Sequence, residues 1–408
     1  MKLRNINILL IGIILFSIGN IFAQEKEENF ETDVISLVGR KGLQFKSKTG
    51  DFVLNPYMLI LARGQFNYVD DEGLNLADPD NIINTGFGIP NAILGFAGKA
   101  FKNVYYNFAV DVGKAGKPSL LNQAWFDILI KPEFRIKVGK FKTPMNRAYL
   151  VRLGQTLFPV VPASLNTRMN IPYSLNAANP VFATGFDIGV QLHGLIDNKL
   201  QYQAGVFNGT GININMPKNT TSDDNGIPSL LYAGRLAYMP FGPMPLHEGD
   251  PNDVNNVKMM IAASTSYNVE ANNESTDDFR FGGEFALLYK RWYLSSEFYY
   301  MNVDFVEKQQ REPKMNFWGS YIQAGYLLEC GLQPIARFEM FDRNSTDDDG
   351  LLYLTSVGFN YFVTGQNLKV QVMYQNLSRS GHATQLKADD DDNGLSEHSA
   401  VVQLQFSF

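Results

Sequence analysis

The sequence predicts an all-β protein, a transmembrane antiparallel β-barrel of about sixteen strands with an inturned third outer loop, and three observations carry that prediction. The first is a recurring unit of about ten residues in which apolar and polar side chains alternate and a turn follows, as in strands that face lipid on one side and a polar lumen on the other. The second is the set of connections, which alternate short and long along the chain as the two rims of such a barrel require. The third is that no apolar run beyond residue 24 reaches the length of a membrane helix, about 20 residues. Mean hydropathy is −0.15.

The elements follow in order. Lys2 and Arg4 precede the apolar run Ile8 to Phe16, and the small Ala23 closes it, so residues 1–23 are expected to be a secretory signal peptide. Residues 24–40 lack a clean period and are expected to form a short periplasmic tail, with the barrel over 41–408. A length of 408 residues would ordinarily suggest more than one domain, but barrels are the exception. After a hairpin arm around Gly42 to Lys48, strands are expected near 52–68, 89–100, 104–113, 120–130, 134–140, 183–194, 200–208, 230–239, 257–267, 279–289, 292–303, 315–328, 332–342, 351–362, 368–377 and 396–408. The last is the clearest: Ala400, Val402, Leu404, Phe406 and Phe408 oppose Glu397, Ser399, Gln403, Gln405 and Ser407, with Val401 the one break on the polar side. A polar inner row of this kind does not suit an apolar ligand cup.

Short joins at 101–103, 131–133, 195–199, 290–291, 329–331 and 363–367 mark one rim, expected to be periplasmic. Acid-tipped loops such as Asp347 to Asp349 and Asp389 to Asp392 mark the other. One join breaks the rule. Residues 240–256, PFGPMPLHEGDPNDVNN, are long and Pro-rich at the short rim, and the sequence supplies no account of them.

The formal charge is −6, yet residues 134–186 carry seven basic residues and no acid. These are Arg135, Lys137, Lys140, Lys142, Arg147, Arg152 and Arg168. The segment starts as a strand, with Arg135, Lys137 and Gly139 on one face and Phe134, Ile136 and Val138 on the other, then loses its period. A long loop is uncommon unless functional, so residues 141–182 are expected to fold into the lumen as a constriction. Fixed basic side chains can replace the hydration shell of a crossing anion, which makes these seven the candidate anion-binding set. Alternation puts Arg63, Arg235, Arg280, Arg337 and Lys369 on the lumen wall, but also Asp111, Asp127, Asp187, Glu284, Glu297 and Glu339, a mixed lattice that leaves selectivity to the loop.

At VGKFKTP (Val138 to Pro144) and GVFNGTG (Gly205 to Gly211) the chain resembles the phosphate-selective porin O and P family of outer-membrane channels. That resemblance implies a sixteen-stranded barrel, usually a homotrimer, whose inturned third loop forms an anion-binding constriction, and it carries Lys140 and Lys142 as constriction residues. The terminal Phe408 looks like the barrel-assembly signal of outer-membrane proteins, which implies the assembly machinery as a partner. Other expected partners are small anions and outer-membrane lipid with its lipopolysaccharide, and no nucleic acid. The strongly acidic outer loops depart from the basic entry funnel that a phosphate channel would show.

Other chemistries find little purchase. The single cysteine, Cys330, excludes disulfides and a cysteine metal cluster. The four histidines show no metal-ligand spacing, no serine is placed as a nucleophile, and the Asp runs lack the twelve-residue calcium-loop spacing. No cofactor or metal and no enzyme activity are expected. The expected function is therefore an outer-membrane porin that passively conducts small anions, with phosphate or phosphorylated solutes leading. The alternatives are a channel for larger anionic organic solutes or oligosaccharides, marked by lumen aromatics (Trp125, Tyr293, Tyr299), and a structural or adhesin barrel with a closed lumen.

Overall fold

A computed structural model describes residues 34–39, 42–70, 83–114, 120–162, 164, 185–209, 230–251, 255–272, 275–305, 314–342, 351–379 and 396–408. The expected signal peptide, Arg168 and most of the second half of the 141–182 segment lie outside the described residues.

Two short strands, β1 (Val34–Gly39) and β2 (Gly42–Ser47), form an antiparallel hairpin, so a strand occupies the end of the stretch expected to be a tail. The hairpin abuts the barrel through Phe45 opposite Leu54 and Lys46 opposite Val53. The barrel follows as β3 (Val53–Asp70), β4 (Ile83–Ala100), β5 (Val104–Asp111), β6 (Leu121–Lys131), β7 (Phe134–Lys142), β8 (Phe186–Ile196), β9 (Leu200–Phe207) and β10 (Leu231–Tyr238). It continues as β11 (Val257–Asn272), β12 (Ser275–Tyr289), β13 (Trp292–Phe305), β14 (Lys314–Tyr326), β15 (Leu332–Asp342), β16 (Leu351–Thr364), β17 (Leu368–Arg379) and β18 (Ser396–Ser407).

Each of these strands pairs antiparallel with the next, and β18 returns to β3, from Ser396 opposite Asp70 to Ser407 opposite Leu59. Sixteen strands thus close without a free edge, which satisfies every ladder group in a medium that offers no hydrogen-bond partners. Expected and observed strands agree element by element. The differences are at the ends, as at β11, which runs to Asn272.

The outer face is a belt of exposed apolar side chains, among them Phe126 at 61%, Ile130 at 55%, Ile322 at 50% and Val402 at 52% exposed. Such a belt would be a liability in water and is the natural surface in lipid. Exposed Tyr289, Trp292 and Tyr361 stand where strands meet the short rim, and the Trp292 and Tyr326 rings lie 4.6 Å apart, as in an interfacial girdle. No helix among the described residues is long and apolar enough to cross a membrane.

The other face is polar and largely buried. Its ion pairs among the described residues include Arg235 with Glu284 at 2.7 Å, Arg337 with Glu339 at 2.8 Å, Arg280 with Asp278 at 2.8 Å and Arg135 with Asp127 at 2.8 Å.

Candidate functional site

The segment leaving β7 turns into the barrel. Lys142 Nζ donates to the carbonyls of Tyr149 at 2.6 Å and Val151 at 2.8 Å, which curls the chain around the one-turn helix α1 (Arg147–Leu150). Beyond it the backbone meets side chains of the inner wall at widely separated strands. The Ala148 N–H donates to Glu297 on β13 at 2.7 Å, and Gln405 on β18 donates to the Gly154 carbonyl at 2.8 Å. Lys369 on β17 donates to Thr156 at 3.1 Å and Asn360 on β16 to Leu157 at 2.9 Å. Arg63 on β3 donates to Pro159 at 2.6 Å, Arg337 on β15 to Val160 at 3.1 Å, and the Ser164 N–H to Glu339 at 3.0 Å. Backbone groups that leave a strand still need partners, and the polar wall supplies them. The described residues between Ala148 and Ser164, a bar of backbone, are thereby hydrogen-bonded to side chains of β3, β13, β15, β16, β17 and β18.

The anomalous join meets this bar from the short rim. Arg147 Nη2 donates to the carbonyls of Pro245 at 2.8 Å and His247 at 3.2 Å. The Glu248 N–H donates to Gln155 at 2.9 Å, and the Glu248 carboxylate accepts from the Leu157 N–H at 2.7 Å, Gln323 at 2.9 Å and Tyr293 at 3.3 Å. Burial pushes the Glu248 carboxyl above its ordinary value, with the Leu157 N–H and the Arg147 charge pulling against it. Leu157 and Phe158 pack with Met239, Met244, Met373 and Val401. The apolar break at Val401 is therefore a seat for the loop, and the long join is a second insert.

The candidate residues divide on this frame. Arg147 is buried as a clamp between the two inserts, and Lys142 is spent on the loop's own carbonyls. Lys140, opposite Ala124 and Ile188 in the ladder, is buried. Arg135 grips Asp127 with Nε at 3.2 Å and Nη2 at 2.8 Å. Among the wall bases, Arg235 and Arg280 are held by acids, Arg337 by Glu339 and the loop, and Arg63 and Lys369 by the loop carbonyls. Tyr293 and Tyr299, expected as lumen aromatics, are fully covered, Tyr293 within the cluster that seats the loop. His193 Nε2 sits 3.0 Å from Asp127 Oδ1.

Two cations stand apart. Lys137 Nζ lies 3.9 Å from the Trp125 ring centroid and 4.7 Å from that of Phe141, and makes no hydrogen bond or ion pair among the described residues. Arg152 is exposed on the bar, with Tyr57 within reach of its charge. Lys142 feels both charges, so the three form one electropositive region.

The wall beside them is half-exposed, whereas the inner faces of β11 to β17 are buried. There Trp125 Nε1 donates to Gln123 at 3.1 Å, Gln123 Nε2 to the Tyr57 hydroxyl at 3.4 Å, and that hydroxyl to Asn107 at 2.8 Å. Sequence reasoning missed Tyr57, Asn107 and Gln123 as a set, because they come from β3, β5 and β6 and only the barrel brings them together. Gly139 at φ 121° lets β7 pass this wall, since a Cβ there would fall 2.2 Å from the Ala124 carbonyl oxygen.

Among the described residues no cluster of His, Cys, Asp or Glu could hold a metal.

Solved structures with the same fold include the anion-selective porin from Comamonas acidovorans, at TM-score 0.56 and 10% identity over 87% of this chain and 100% of that one. The outer-membrane channel DcaP of Acinetobacter baumannii matches at TM-score 0.51 and 11% identity, over 91% of this chain and 100% of that one. OmpT of Vibrio cholerae in its trimer form matches at TM-score 0.50 and 11% identity, over 87% and 99%. A search among curated proteins returns no match. The family profile for phosphate-selective porin O and P matches residues 61–408, from the middle of β3 to the last residue of the chain. That span takes in the barrel and both inserts, and the chain belongs to this family of outer-membrane porins.

Proposed function

We propose that this porin passes small anions through a lumen narrowed by the 141–182 loop, with phosphate or phosphorylated solutes the leading class. Within the basic set, Lys137 and Arg152 carry the selectivity, and Arg147 and Lys142 hold the loop in place. The observation that carries this reading is the Lys137 ammonium, which lies on the lumen row against the Trp125 and Phe141 rings, while its cross-strand neighbour Asp127 is already engaged by Arg135 and His193. An anion entering a narrow pore sheds part of its water, and a fixed, unspent cation replaces it. Likeness to an anion-selective porin supports the sign, and likeness to a trimeric one supports a homotrimer. Lipid and lipopolysaccharide surround the belt, and the barrel-assembly machinery receives Phe408. Family and fold are those of a channel, not of an enzyme.

The test is reversal potential in planar bilayers under a salt gradient. The expected result is stepwise conductance with anions favoured, and the double substitution Lys137→Glu with Arg152→Glu reverses the sign. Cation preference in the unmodified protein would overturn the reading, and an absence of conductance steps would favour a closed-lumen barrel.

A further inference from the structure

We infer that the half-exposed wall beside Lys137 is a subsite for ring-bearing organic anions of the sugar-acid class, built by Tyr57, Asn107, Gln123 and Trp125. This inference rests on the anion-conducting reading above and refines it.

The bonds along this wall run one way. Trp125 gives its N–H to Gln123, Gln123 gives an N–H to Tyr57, and Tyr57 gives its O–H to Asn107. Each ring is thus fixed by its polar end, and neither retains a donor of its own. Amide hydrogens of Asn107 and Gln123 and the whole Lys137 ammonium are left without acceptors among the described residues. The wall is therefore rich in donors beside two half-exposed, oriented rings, of which Trp125 carries the Lys137 ammonium 3.9 Å from its centroid. A hydrated inorganic ion uses only the donors. A sugar ring carrying a carboxylate or phosphate uses both, laying its C–H face on an aromatic ring and its oxygens on the amides and the ammonium.

The Tyr57 ring is seated against the wall by Gly95, where a Cβ would fall 2.5 Å from Tyr57 Cζ, and by the buried Ala109. The covered Tyr293 and Tyr299 take no part.

The experiment reads block of chloride current through single channels of the full chain in planar bilayers by glucuronate, acetate, inorganic phosphate and glucose. Glucuronate is expected to reach half-block at a concentration about tenfold below acetate, with neutral glucose weaker than glucuronate. Trp125→Ala is expected to raise the glucuronate half-block about tenfold more than it raises the acetate half-block in the same channels. Tyr57→Phe, which keeps the ring and breaks the relay, should give a smaller loss.

Equal block by glucuronate and acetate in the unmodified channel overturns the inference even if neither variant assembles. So does an equal loss for every anion on Trp125→Ala. Failure of the underlying reading shows separately, as a cation-favouring reversal potential in the unmodified protein.

Discussion

Arg147 and Lys137 are ten residues apart in one basic stretch and do opposite work. Arg147 gives charge-assisted hydrogen bonds to two carbonyls of the opposing insert, each bond of a kind contributing about 1.5–3 kcal/mol. Arg147→Ala is therefore expected to loosen the bar, which single-channel recording would show as larger, noisier steps with anion preference retained. Lys137→Gln should do the reverse, collapsing the preference toward neutrality while step size and the heat-dependent gel shift of the folded barrel persist. Charge sign and density were legible in the sequence, and the division of labour was not. Whether a base is spent depends on partners such as Pro245, which no local pattern reveals.

Among the elements, the strands were readable because each has two chemically different sides, and a period of two follows from that alone. The join at 240–256 was visible as an exception of length, but its purpose depends on Glu248 and Leu157, separated by 91 residues, and on apolar Met373 and Val401 in an otherwise polar row. Replacing residues 241–251 with a short turn should leave the barrel folded, since the ladder from β10 to β11 spans Leu231 to Tyr238 without them. It should raise conductance, because the bar loses its support from beneath and the insert itself is removed. A variant with unchanged steps would show that the join does not narrow the path. Glu248→Gln, which leaves the fold of the join but weakens its acceptor for the Leu157 N–H, should give a smaller rise in the same recording.

For the whole molecule, closure is completed at the last residue. Phe408 and Met58 exchange backbone hydrogen bonds at 3.2 and 3.3 Å, just past the final pairing of β18 with β3. Deleting Phe408 removes this clasp and the proposed assembly signal together. Refolding in detergent should slow modestly, while the amount of assembled barrel in cells should fall severalfold, as quantified by heat-dependent gel mobility. Orientation is tested by Cys330, the single cysteine, which is exposed in the short turn after β14. A bulky maleimide should leave it unlabelled on intact cells and label it once the outer membrane is opened.

The two inserts enter from opposite rims and lean on each other, which makes the two sides of the membrane mechanically continuous at this protein. A peptide tag spliced into residues 240–256, the customary neutral site for marking the inner side, would lift the strut beneath the outer loop. An investigator mapping topology with such a tag would alter the very current used to judge that the channel is intact.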